Sequence, residues 1–474
     1  MTPIGLLVPA LPEIREMRLK FVFQRRKEGL QKQEAKEENK AMTIGFFPIR
    51  TCLLSILPLS PCWNALAQEF RIPDISELPR VDRNSPRPST YHLRNSAFVL
   101  KFKNHAPGGK AYVILTDHEE ASYLQSLERL SKHHKGTIVK TKDLAKLHFP
   151  KTLESLRLKL QTLNPKYVAL APRMESYREN MVLGAWELLT SLDEDRYLDA
   201  YPGILLASSA DSFKQLIDRS INYHSIPQTK LKPFAISQVP SNTESRSLQK
   251  AGILRDFFAS YGIKTPTVAI YTPSATNAPQ LKGDDLWKIK LESKGSFVKK
   301  FDPKPRRALH DSQLVIMHGH GIPGMSCSVD LEGIPTRSKN QVILSGSCFS
   351  AVPVKSDFPR MTSAPGGYKM SQRPAFAIRY VDRGATVFFG HMRLSSGFPH
   401  LYPVLEKWLE GASVGEAYQQ LINGLIDMRG FGPGRYVLKT PPPQRRLPQN
   451  SMLYVVLGDP ALTPFQPLAK PKQK

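Results

Sequence analysis

Two short segments of this sequence place reactive side chains directly after apolar runs. The first is Val315-Ile316-Met317-His318-Gly319-His320-Gly321, and the second is Val342-Ile343-Leu344-Ser345-Gly346-Ser347-Cys348. An apolar run that stops at a polar group reads as a buried strand, and the carboxyl ends of such strands are where open parallel sheets build their sites. A cysteine is a weak nucleophile until a neighbouring base or positive field makes it a thiolate. Neighbouring strands ending in His320 and Cys348 supply that pair. The backbone N–H groups of Gly321 and Cys348 are the candidates for holding the oxyanion of an acyl transfer. Glycine at 321 also lets the backbone approach a substrate closely.

Each segment alone has a plainer reading. His318 and His320 form a possible metal pair, but no carboxylate or third histidine follows at ligand spacing, so neither a metal nor another cofactor is expected. Cys348 alone is equally well a small buried hydrophobe. Taken together and in this order, the segments favour catalysis. The cysteines are Cys52, Cys62, Cys327 and Cys348. A Cys327–Cys348 disulfide remains open at this stage and would silence the site.

The elements around the segments alternate. Apolar runs at 111–115, 137–139, 167–170, 204–207, 234–236, 268–271, 314–317, 342–344, 387–389 and 453–457 read as strands. Helical spacing appears over 119–133, closed by Gly136, over the Leu153, Leu156, Leu160 and Leu163 series, and over 212–223, 248–261, 404–409 and 414–426. Alternation of this kind predicts α/β layers with mainly parallel strands in two side-by-side subdomains, 95–228 and 229–466, followed by a tail at 467–474.

The amino-terminal part reads differently. Residues 1–41 are a charged extension of doubtful translation. From Met42, a basic residue (Arg50), an apolar stretch and Ala65-Leu66-Ala67 follow the order of a secretory signal over 42–67. The stretch is too short and too proline-broken to span a membrane. Residues 68–94 read as a linker or short pro-segment. Secretion to the cell envelope or beyond is expected, and Cys52 and Cys62 leave with the signal.

Apolar content of 41% and charged content of 23% are those of a globular protein. The net charge of +25 suits an anionic or envelope surface. Lys and Arg are nevertheless dispersed, and no zinc-finger spacing or aromatic RNA-binding motif is present, so nucleic acid is not an expected partner. A serine-hydrolase elbow, a phosphate loop and a dinucleotide fingerprint are all missing.

The His–Cys pair resembles the caspase-like cysteine peptidases, and the wider sequence resembles their gingipain-type branch. The motifs are Asp195 and Asp199 before Gly203, Gly384-Ala385-Thr386-Val387 with Gly390, Gly415-Glu416-Ala417, and Gly458-Asp459-Pro460-Ala461-Leu462. The resemblance covers residues 95–465. It implies a caspase-like three-layer αβα fold and a thiol endopeptidase that acts on proteins or peptides through a Cys348–His320 dyad. In members that cleave after Arg or Lys, an acidic residue receives the basic side chain. Ser247 stands in that register here, with Glu244 before it, so these two are the candidate substrate contacts and basic specificity is not implied. The competing expectation is a silent caspase-fold scaffold that binds an anionic partner through its basic surface.

Overall fold

The computed structural model describes residues 105–238, 244–271, 286–290, 302–335, 340–353, 376–393, 395, 398–429 and 453–469. The expected extension (1–41), signal (42–67) and linker or pro-segment (68–94), and the last residues of the tail, lie outside them. The chain begins β1 (Ala111–Thr116), α1 (Ala121–His134), β2 (Thr137–Lys140), α2 (Pro150–Leu163), β3 (Pro165–Ala171), α3 (Glu179–Leu189), β4 (Tyr201–Ile204) and α4 (Ala210–Ile221). It continues with β5 (Pro233–Gln238), α5 (Glu244–Ala259), β6 (Thr267–Tyr271), β7 (Leu286–Lys290), α6 (Pro303–Asp311) and β8 (Leu314–His318). A small antiparallel unit follows: β9 (Gly321–Ile322), β10 (Met325–Ser326) and β11 (Val329–Asp330). The last elements are β12 (Val342–Ser345), α7 (Phe376–Asp382), β13 (Val387–His391), α8 (Phe398–Leu409), α9 (Val414–Arg429) and β14 (Tyr454–Leu457).

One 11-stranded sheet runs β2-β1-β3-β4-β14-β13-β12-β8-β5-β6-β7. Every pairing in it is parallel except β13 with β14. The fold is therefore the α/β class with mainly parallel strands that the sequence leads to. The central strands read as unbroken apolar runs because they are covered on both sides: Val113, Ile114, Leu314, Val315, Ile316, Val342, Ile343 and Leu344 are all fully buried. Around the sheet, α4 packs on both α1 and α7. A second series links α2 to α3, Trp186 of α3 to Tyr418 of α9, α8 to α9, and Phe257 of α5 to Tyr402 of α8.

The last strand ties the two segments together. β14 lies parallel to β4 on one side and antiparallel to β13 on the other. After it, Asp459 is buried, accepts the Tyr112 hydroxyl at 2.8 Å and the Ala461 N–H at 3.0 Å, and lies 2.7 Å from His134 Nε2. The Gly415 N–H at the start of α9 donates to the Pro460 carbonyl. Two of the sequence motifs are thus one lock, which fixes β14 against β1, α1 and α9.

Several elements depart from the sequence reading. The fourth strand is Tyr201–Ile204 rather than 204–207, because residues 201–204 match the 167–170 register of β3. α3 went unread because almost its whole circumference is buried, Met181, Val182, Leu183, Trp186, Leu188 and Leu189 among it, so it has no polar face and no helical period. α1 is closed by Lys135 in the left-handed region (φ 51°) rather than by Gly136.

Candidate active site

The two reactive segments end side by side. β8 and β12 are parallel neighbours with Ile316 opposite Leu344 and Met317 opposite Ser345, and the Gly346 N–H donates to the Met317 carbonyl. Both strands leave the sheet at the same level, so the short chains that carry His320 and Cys348 start together. A Cβ on Gly321 would overlap the Cys348 carbonyl oxygen and lie 2.9 Å from Ser347 Cβ. A Cβ on Gly319 would overlap the Gln238 carbonyl at the end of β5. The two glycines of H-G-H-G are therefore demanded by space: the backbone around His320 is wedged between β5 and the cysteine turn.

His320 is exposed at this end and Cys348 is half-buried. The Cys327 N–H donates to the His320 carbonyl at 2.8 Å, which sets the register of β9 on β10. Residues 320 and 327 form a hydrogen-bonded pair, so Gly321 and Ser326 form a non-bonded one. The Gly321 N–H accordingly lies outside that ladder.

The small residues before Cys348 hold the turn. Ser326 of β10 donates to Ser347 Oγ at 2.9 Å and lies 3.1 Å from Ser345 Oγ, all three being fully buried. Beyond the cysteine, Phe349 adopts the left-handed region (φ 55°) and donates its N–H to the Arg393 carbonyl at 2.7 Å. The Ala351 N–H donates to the His391 carbonyl, and its own carbonyl accepts the Tyr177 hydroxyl at 2.8 Å. Arg393 is anchored in turn by a buried ion pair with Glu179 at 2.6 Å. Sequence reading missed these supports, because Tyr177 and Glu179 are distant in the chain and nothing local marks them.

The two thiols differ. Cys327 is fully buried and free, 3.3 Å from Ser347 Oγ, and burial pushes its thiol up to about 12. Cys348 is also free, so the open question of a Cys327–Cys348 disulfide is answered: no such bond is formed. Burial raises the Cys348 thiol, while the Ser395 N–H, 3.3 Å from its sulfur, and its own backbone pull it down. The net direction is upward, so the resting group is a thiol that needs a base to act. Glu244 opens α5 and Ser247 lies within its first turn, but both side chains fall outside the described residues. His318, at the end of β8, is half-buried.

No protein-family model matches this chain. No curated protein matches it either. Among solved structures it is similar to the separase chain in two crystal structures of the Saccharomyces cerevisiae separase–securin complex. Both share 12% identity over 62% of this chain, with TM-scores of 0.34 and 0.31. The chain spans only 15% and 16% of those separase chains. A putative aspartate carbamoyltransferase of Leishmania major Friedlin follows at 10% identity and a TM-score of 0.17, over 46% of this chain and 62% of that one. Scores this low carry no argument about function. Among the described residues, no helix is long and apolar enough to cross a membrane.

Proposed function

We propose that this chain is a secreted cysteine endopeptidase of caspase-like type, with gingipain-type sequence motifs, in which Cys348 is the nucleophile and His320 its base. The observation that carries the reading is the seating of the Gly321 backbone directly on Ser347 and Cys348, at the ends of two parallel strands in register. His320 takes the Cys348 thiol proton as sulfur attacks the peptide carbonyl carbon. The oxyanion is received by the Gly321 and Cys348 N–H groups, in surroundings where fixed dipoles act more strongly than in water. When the tetrahedral adduct collapses, the C–N bond breaks and His320 gives its proton to the leaving amine. Water, deprotonated by His320, then cleaves the thioester and restores the thiol.

A free thiol, a neutral buried Cys327 and the braced turn support this reading over a silent scaffold. The test is hydrolysis of a mixed fluorogenic peptide library by the full chain under reducing conditions. Cleavage is expected to vanish in Cys348→Ala and to fall about 10²–10⁴-fold in His320→Ala, the usual worth of a general base. A folded chain that cleaves nothing, or cleavage that survives Cys348→Ala, would leave the scaffold reading in its place.

A further inference from the structure

Past the end of β13 the chain runs alongside the turn that carries Cys348. The His391 carbonyl accepts the Ala351 N–H at 3.1 Å, and the Arg393 carbonyl accepts the Phe349 N–H at 2.7 Å. Alternate residues of an extended chain present their backbone groups to the same side, so Ser395 comes next in that series. There the pattern changes. The Ser395 N–H meets a side chain, 3.3 Å from Cys348 Sγ, and the Ser395 carbonyl lies 3.9 Å from the same sulfur.

These two contacts act in opposite senses. The thiol donates its hydrogen to the carbonyl, a long and weak contact that favours the neutral group. The N–H donates to the sulfur, and such a bond strengthens as the acceptor becomes ionised. The nearer of the two contacts therefore favours the thiolate, against the burial that opposes it.

A backbone N–H keeps this aim only if its residue is held. Ser395 belongs to no strand of the sheet. Its hydroxyl lies 3.0 Å from the Tyr454 hydroxyl of β14. Tyr454 is fully buried. Its ring stacks on Phe389 with centroids 5.5 Å apart and stands at 84° to His391 with centroids 4.3 Å apart. Its carbonyl accepts the Tyr418 hydroxyl of α9. The Met392 N–H donates to the Leu453 carbonyl, so the chain leading to Ser395 is also bound to the strand that bears Tyr454.

We propose that Ser395 supplies a donor to the nucleophile and that Tyr454 is the positioning residue behind it. The buried phenol holds the Ser395 hydroxyl, and the Ser395 N–H thereby steadies the Cys348 sulfur as it gives up its proton. Arg393 fixes the backbone just after the cysteine, and Ser395 fixes the sulfur itself. The consequence for catalysis rests on the peptidase reading; the contact does not.

The test is iodoacetamide labelling of Cys348 in the full chain across pH, mapped by mass and measured without substrate. Tyr454→Phe keeps the ring that packs on Phe389 and His391 and removes the hydroxyl; Ser395→Ala removes the other half of the contact. Each is expected to raise the pH midpoint of labelling by about half a unit or more, which slows labelling roughly threefold below the midpoint. The double variant is expected to shift no further than either single one, because all three break the same contact. Buried Cys327 is expected to label as slowly as in the wild type. An unchanged midpoint, shifts that add, or faster labelling of Cys327, which would mean a loosened turn, overturns the proposal. The shift in a chain that cleaves no peptide counts against the peptidase reading alone. Cleavage with no shift counts against this proposal alone.

Discussion

At the scale of single residues, Gly321 is the position at which the chain that carries His320 meets the turn that carries Cys348. Its missing Cβ leaves room for the Cys348 carbonyl. Gly321→Ala must displace either the cysteine turn or the β9–β10 hairpin, and overpacking of this sort costs about 1–3 kcal/mol. Peptide hydrolysis should fall much further than stability, because the displaced atoms are those proposed to carry the reaction; equal activity in a folded Gly321→Ala chain would contradict that placement. The strands that lead to His320 and Cys348 were legible in the sequence, since each is a run of apolar residues that burial on both faces imposes. The serines before Cys348 were legible as small residues but not as a network, because Ser326 lies on another element.

At the scale of elements, the turn that carries Cys348 is held from outside by α3. Arg393 gives its carbonyl to Phe349 and its guanidinium to Glu179, the first residue of that helix. Removing one member of a buried ion pair leaves an uncompensated charge and costs about 3–5 kcal/mol. Glu179→Ala is therefore expected to lower the denaturant midpoint by an amount in that range and to reduce activity through the turn. A change under about 1 kcal/mol, typical of exposed pairs, would show that the pair is solvent-screened instead. None of this was readable beforehand. α3 is apolar nearly all round, so periodicity gave no signal, and strands as short as β9, β10 and β11 have no period at all. The long apolar strands were readable because burial on both faces imposes a continuous run. Even there, β4 slipped by three residues, since pairing with β3 rather than local hydrophobicity decides where the strand lies.

At the scale of the whole molecule, a single sheet spans both segments that the sequence divides, and β14, the last strand, joins them. The Gly458-Asp459-Pro460 motif contributes a structural lock rather than chemistry, through Tyr112, His134 and Gly415. The secretion proposal concerns residues outside those described and has its own check. Amino-terminal sequencing of the exported chain should begin at Gln68, after Ala67. A mature protein that retains the 42–67 stretch would contradict it.

The central claim is that His320 activates Cys348. It is tested most directly by the rate of iodoacetamide labelling at each cysteine, mapped by mass, in the wild-type chain and in His320→Ala across pH. Burial alone makes Cys348 faster than Cys327, so selectivity decides nothing; dependence on His320 does. The account predicts rapid labelling of Cys348 near neutral pH in the wild type. In His320→Ala, labelling should slow and its pH midpoint should move above that of an ordinary thiol, because burial raises Cys348 and the base is gone. Identical rates and midpoints in the two proteins would contradict it.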